Sequence, residues 1–264
     1  MRVRFFRAAS GLLAARILVI LLILAALQFA VTVRILSPLA VAAPSSVIAA
    51  LGNIVVNGQI WTGLGLTLIN WLTGVALAAL IGIPLGLALG GNEVVYAAFR
   101  VPIEFMRTVP AIAIMPLALL LLGVTARMAI LLVFIGALWP ILLQSMYGFH
   151  QIDAALRDVS RSYRIRRSDR FTRIILPTAA PFVATGLRIS LTVGLLLAVS
   201  AEVIAGVPGL GNEVALAQQN LKIPEMYAFV VVIACVGTIA NLGTRRLERQ
   251  ILSWHPAHRK GGNS

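Results

Sequence analysis

Glu104 and Arg107 stand three residues apart in an otherwise apolar stretch, so on a helix they share one face and can pair. Ionised groups at membrane depth are costly unless they pair or face a cavity. Arg188 and Glu202, near the two ends of a later apolar stretch, raise the same question. The chemistry open to these four residues is electrostatic: closing an ion pair inside the chain, or offsetting the desolvation of an anion that passes through it. Catalytic chemistry finds no foothold. Cys235 is the single cysteine and lies in an apolar run where packing is its expected role, so no disulfide framework or thiolate metal site can be built. His150, His255 and His258 are scattered without metal-ligand spacing. No helix face clusters the His, Cys, Asp or Glu that an enzyme would need, and no Walker-type run is present whose backbone could cradle nucleotide phosphates.

The elements that must position these residues are membrane helices. Of 264 residues, 59% are hydrophobic and only 12% charged, about half the charged share of an ordinary soluble domain. A soluble fold could not hide that much apolar surface. Backbone amides inside a bilayer must be satisfied within the chain, which leaves helices or a closed barrel, and the long unbroken apolar stretches select helices. Spans of about 20 residues are predicted at 12–33, 63–90, 98–122, 128–147, 179–205 and 226–244. The first is too long for the apolar core of a cleaved signal peptide, despite small residues at Ala42 and Ala43.

Net charge is +13, and its placement separates a membrane protein from a nucleic-acid binder. Arg2, Arg4 and Arg7 lie in a basic N-terminus (1–11), with Arg16 just behind. Arg157, Arg161, Arg164, Arg166, Arg167, Arg170 and Arg173 share one loop, and Arg245, Arg246, Arg249, Arg259 and Lys260 fall in the tail (245–264). Six spans put all three clusters and both termini on the cytoplasmic side, as the positive-inside rule asks. Anionic lipid headgroups are their expected partners, and no aromatic stacking platform accompanies them to suggest nucleic acid.

Gly74, Ala78, Gly82, Gly86 and Gly90 recur every four residues in the second span, a flat ridge that lets another helix approach closely; Pro84 is expected to kink it. Between the first two spans, the 44–60 segment opens with Pro44, Ser45 and Ser46. It places Val47, Ile48, Leu51, Ile54 and Val55 on one helical face, which suits a short helix on the outer membrane surface. Gly206 to Gly211 punctuates a turn after the fifth span.

The 150–177 loop is nearly thirty residues of largely polar sequence in an oily protein, and a connector of that length is usually functional. Ile152, Ala155, Leu156, Val159 and Tyr163 fall at helical spacing opposite an arginine-rich face. Such a stripe needs the membrane surface or a groove on a partner.

Within that loop Asp158-Val159-Ser160, then Arg164, then Ile174, Leu176 and Pro177 resemble the Glu-Ala-Ala loop of the inner-membrane permease subunits of ABC importers. The family pattern is Glu-Ala-Ala, three residues, Gly, nine residues, Ile, one residue, Leu-Pro. Thr67 with Gly74, Gly82-Ile83-Pro84-Leu85-Gly86, Arg107-Thr108-Val109-Pro110, Ala201-Glu202-Val203-Ile204 and Gly209-Leu210-Gly211 resemble the branch that imports nitrate, sulfonates or taurine. The likeness runs over about 44 to 254.

The resemblance implies an all-α polytopic bundle of the type I importer permease fold in a single 1–264 domain. It also implies a prokaryotic inner-membrane location and a coupling helix in the 150–177 loop, carried by Leu156, Asp158, Val159, Ser160, Tyr163, Arg164, Ile174, Leu176 and Pro177. Two ATPase subunits that hydrolyse the ATP, a second permease copy and an extracytoplasmic solute-binding protein are the implied partners, with no cofactor on this chain. The solute is expected to be a small anion, with Glu104, Arg107, Arg188 and Glu202 candidates to face its path. The sequence departs from the family pattern at Asp158, Val159, Ser160 and Arg164. Glycine at the last position would permit a sharp turn, and with arginine there an ordinary turn is expected instead. A transporter or channel working without ATP is the alternative, but it predicts inverted repeats and unwound midplane ligands, which the two halves do not display.

Overall fold

The computed structural model describes the backbone of residues 2–91, 93–153, 156, 160 and 162–251, and their side chains except at 2–14, 93, 100, 167 and 251. Among these residues there is no strand. The helices are α1 (Arg2–Thr32), α2 (Pro44–Val56), α3 (Gln59–Gly90), α4 (Glu93–Met106), a 3-10 turn at Ala111–Ile114, α5 (Met115–Leu122) and α6 (Ala126–His150). After the loop come α7 (Arg167–Arg170), a π turn at Phe171–Ile175, α8 (Leu176–Ala205), α9 (Leu210–Gln219) and α10 (Ile223–Ile251). Five helical stretches are long and apolar enough to cross a membrane: Ala15–Thr32, Gln59–Gly90, Ala126–His150, Ser168–Gln219 and Ile223–Gln250. A sixth exists if Val94–Met106 and Ala111–Leu122, bent by 71° at their junction, form one span.

That bend modifies the third predicted span, and proline accounts for it. Pro110 has no N–H to continue a helical ladder and biases the residue before it toward extended backbone. The chain therefore leaves the helix after Met106 and restarts as a 3-10 turn capped by Pro110 in an extended conformation (φ −62°, ψ 121°). Thr108 seals the broken end, its hydroxyl donating to Phe105 O at 2.7 Å. The second feature missed in the sequence is α9, which begins where only a turn was predicted.

The chain forms two compact units, residues 1–61 with 213–232 and residues 62–212 with 233–264. In the first, α1 leaves Ile17 to Ile23 between 51% and 62% exposed, a surface suited to lipid. The Ser45 N–H donates to Gln28 Oε1 at 3.1 Å, tying the start of α2 to α1. Helix α2 buries Ala50 and Ile54, while Ile48 and Val55 are exposed. The buried face is thus rotated from the predicted stripe, because beside lipid an apolar side chain has no preference for the protein interior.

In the second unit the small-residue ridge of α3 lies against α6. A Cβ built on Gly74 would stand 2.5 Å from Val133 Cγ1, and one on Gly86 would stand 2.5 Å from Leu142 O. Helix α8 uses the same device against the other side of α6, where a Cβ on Gly186 would meet Pro140 O at 3.1 Å. Trp71, Val75, Ala78, Val133, Ala137, Ile141, Leu197 and Ala198 form the core where α3, α6 and α8 meet. Two bonds pin the seam: Trp71 Nε1–H donates to Leu191 O at 2.9 Å, and the Ser190 hydroxyl donates to Ala137 O at 2.6 Å.

Gly86→Val forces a side chain into the Leu142 carbonyl and should destabilise the bundle by about 1–3 kcal/mol, the range for overpacking. Gly65→Ala, which meets nothing within 4 Å, should leave it unchanged. Thermal unfolding of the detergent-solubilised chain, compared between the two variants, checks this.

Candidate functional site

Three arrangements in the second unit can carry function: the 150–177 loop, a buried carboxylate between α3 and α8, and an open cleft at the break after α4.

In the loop, Ile152 and Ser160 are buried at 4% and 2% exposure, whereas Leu156 is 43% and Tyr163 80% exposed. Asp158 and Val159, with Ala155, lie outside the described residues. Leu156 and Tyr163 leave apolar surface uncovered on a segment rich in arginine, and Ile165 at 40% extends it. Arg164 does not make the ordinary turn expected of it. Its φ is +48°, in the left-handed region that glycine occupies without strain. The Ile165 N–H donates back to Ser160 O at 3.1 Å, the six-residue closure of a Schellman cap with Arg164 at its left-handed position. The glycine-type turn is therefore kept with an arginine in it, at a local cost of about 1–2 kcal/mol.

Ile174, Leu176 and Pro177 then carry the loop into α8. Pro177 cannot donate to the carbonyl four residues back, and the helix enters through a π turn, with the Thr178 hydroxyl donating to Ile174 O at 2.7 Å. Asp169 and Arg173 pair at 3.7 Å with most of the arginine exposed, a contact worth little.

The four residues considered for a solute path separate sharply. Glu202 has 0% exposure. Its Oε2 accepts from the Thr67 hydroxyl and from the Gly211 N–H, both at 2.9 Å, while Thr67 Oγ1 accepts from the Leu210 N–H at 2.9 Å. Gly209 lies so close that a Cβ on it would sit 2.2 Å from the Glu202 carboxyl carbon. In this conformation Glu202 lines no path; it latches the Gly206–Gly211 turn onto α3 and α8. Thr67 and the turn glycines act together here, although only their likeness to a family marked them in the sequence.

Arg188 is paired with Glu248 of α10 at 3.2 Å, and beside it lies a cavity of about 440 Å³ between α8 and α10. Arg107 makes no ion pair among the described residues, so the pair with Glu104 allowed by their spacing is not formed. Arg107 instead borders a larger, open cleft of about 730 Å³ lined by residues 107–112, α6 and α8.

Residues 80–253 match the family model described as binding-protein-dependent transport system inner membrane component. The chain belongs to this family. Among curated relatives, the permease is 33% identical to the nitrate import permease protein NrtB of Synechocystis over 77% of this chain and 74% of that protein. It is 31% identical to the taurine transport system permease protein TauC of Escherichia coli over 85% and 83%. A putative aliphatic sulfonates transport permease protein, SsuC of Bacillus subtilis, is 26% identical over 81% and 78%. Among solved structures, an inward-facing MetNI methionine ABC transporter matches with a TM-score of 0.61 at 19% identity, over 72% of this chain and 94% of that one. The fold is that of ABC importer permeases, and the protein is a multi-pass membrane protein of a transport system.

Two variants test the geometry. Thr67→Val keeps the shape but strands the Leu210 N–H and removes one donor from Glu202, at an expected cost of about 1–3 kcal/mol; amide exchange at Leu210 should accelerate while distant helices stay protected. Arg164→Gly should do the reverse at its own turn, stabilising it by about 1 kcal/mol, read as slower exchange of the Ile165 amide.

Proposed function

We propose that this permease forms the solute path of an ATP-driven importer and that its 150–177 loop is the handle by which a separate ATPase moves the bundle. What supports the reading beyond family membership is where the loop is anchored. It joins α6 to α8, two helices that pack extensively against each other, with glycines at the contact. A force on the exposed Leu156, Tyr163 and Ile165 surface is thereby delivered to a rigid seam rather than to a slack connector.

Two ATPase subunits supply the hydrolysis, since no stretch of this sequence has a phosphate-cradling pattern. A second permease copy, most simply an identical one, completes the path, and an extracytoplasmic binding protein delivers the solute. Both termini lie in the cytoplasm, the arrangement that puts the three basic clusters on one side. The relatives are named for nitrate, taurine and aliphatic sulfonate import, solutes that share an oxoanion, and the solute here is a small oxoanion too. ATP binding by the partner must favour one of two bundle states through different contacts with the loop, because a ligand shifts an equilibrium only by its differential affinity.

The test is the double variant Leu156→Asp, Tyr163→Asp in vesicles reconstituted with the ATPase and binding protein. Solute-stimulated ATP hydrolysis should fall by about tenfold, the order expected when buried apolar anchors at an interface are lost, while the variant still inserts and folds. Unchanged stimulation, or solute movement by the purified chain with no ATPase present, would overturn the proposal.

A further inference from the structure

The groove of about 440 Å³ between α8 and α10 is open to the side, with Leu196 on its rim 66% exposed. Trp71 of α3 lies at its floor, 3% exposed, and its indole N–H is spent on Leu191 O at 2.9 Å, so the apolar ring is what remains for the groove. The Thr192 and Thr238 hydroxyls donate to carbonyls of their own helices, Arg188 O at 3.2 Å and Ala234 O at 2.8 Å. Polarity therefore collects at one end. There Asn241, Arg245, Glu248 and Arg249 recur at helical spacing on α10, with Arg245 and Arg249 exposed and the Asn241 amide making no hydrogen bond among the described residues. The Arg188–Glu248 pair at 3.2 Å brings the start of the α8 wall to the level of this basic end. From that level the walls run from Arg188 to Val199 and from Thr244 to Ile233, each about 16 Å at the rise of an α-helix. Half of a hydrocarbon core is about 15 Å.

We infer that this groove is a binding site for one anionic phospholipid, with an acyl chain laid along the apolar walls and the phosphate at Arg245 and Asn241. The inference stands apart from the importer reading, since a lipid can occupy the groove whether or not ATP drives the bundle. Basic side chains at a membrane surface attract any anionic headgroup; the groove adds a place for the chain, one leaflet long, which turns a diffuse attraction into a site. Charge selects the headgroup. Glu248 is matched by Arg188, whereas Arg245 and Arg249 make no ion pair among the described residues, so the mouth keeps an excess of positive charge. A guanidinium meets a phosphate bidentately, and a zwitterionic headgroup would bring its ammonium against the same arginines. A second copy of this chain fits less well. Its least buried span, Ala15–Thr32 with 6% inside the molecule, carries Arg16 and the basic N-terminus at its inner end, which would set like charge against like.

The experiment uses Trp71 as the reporter. The full-length chain carrying Trp61→Phe, Trp139→Phe and Trp254→Phe is placed in phosphatidylcholine nanodiscs doped with phosphatidylglycerol or phosphatidylcholine brominated on the acyl chain close to the headgroup, and Trp71 fluorescence is followed. Brominated phosphatidylglycerol should quench saturably, at a doping level at least about fivefold below that needed for brominated phosphatidylcholine, the factor supplied by one basic contact at the surface. Arg245→Gln should raise the half-saturating level by about fivefold. Ala234→Phe, which fills the groove and leaves the charges alone, should abolish saturable quenching, with thermal unfolding showing that both variants are folded. Native mass spectrometry of the unsubstituted chain provides a second reading free of any variant: phosphatidylglycerol should be retained through delipidation and phosphatidylcholine lost. Equal half-saturation by the two lipids, quenching that only rises in proportion to doping, or an indifferent Arg245→Gln would reduce the groove to ordinary lipid-facing surface and overturn the inference. Quenching by neither lipid would overturn it as well, because the groove would then be covered by a second copy.

Discussion

Lipid chains are as apolar as leucine, so no hydrophobic force draws one membrane helix to another, and the seam joining α3, α6 and α8 must hold by contact alone. That constraint explains why small residues occupy it. Gly74 and Gly86 on α3 and Gly186 on α8 bring backbone against α6 at distances where a single added carbon would collide. Close approach increases the number of dispersion contacts and brings Trp71 and Ser190 within reach of carbonyls on the neighbouring helix or turn of the core. Everything proposed for the protein depends on this seam, because a motor can move the bundle only if the helices it grips travel together.

The same solvent explains the placement of polar groups. Inside a bilayer an unsatisfied amide or hydroxyl has no water to turn to, so chain breaks must be closed locally. Thr108 closes the end of α4, Thr178 the entry to α8, and Thr67 with Glu202 the turn before α9. The Glu202 latch uses a carboxylate to hold two donors at once, which a neutral side chain of similar size could not do as strongly. Breaks thus appear where sequence supplies both a proline or glycine to end the helix and a hydroxyl or carboxylate to satisfy it.

Loop and cleft lie on either flank of one mechanical element. Helices α6 and α8 are joined by the 150–177 loop and also form the two long walls of the 730 Å³ cleft that Arg107 borders. A displacement of the loop that rotates the pair alters the walls of that cleft directly. Arg164 sharpens the handle, since a Schellman closure with a left-handed residue fixes the direction in which the chain leaves Ser160.

The sequence by itself determined the membrane class, the helical spans, the close-packing ridge of α3 and the family resemblance of the loop, because span length, charge placement and four-residue repeats are local properties of the chain. The third span shows the limit. Its prolines were visible, but a 71° bend depends on what each flank packs against. Which face of α2 is buried was also illegible, because lipid and protein interior accept the same side chains. Only the tertiary structure decided that Glu202 is sealed in a latch, that Arg188 is neutralised by Glu248 sixty residues on, and that Arg107 has no ion-pair partner among the described residues. Partners distant in sequence decide the fate of a buried charge, and their distances are set by packing rather than by spacing along the chain.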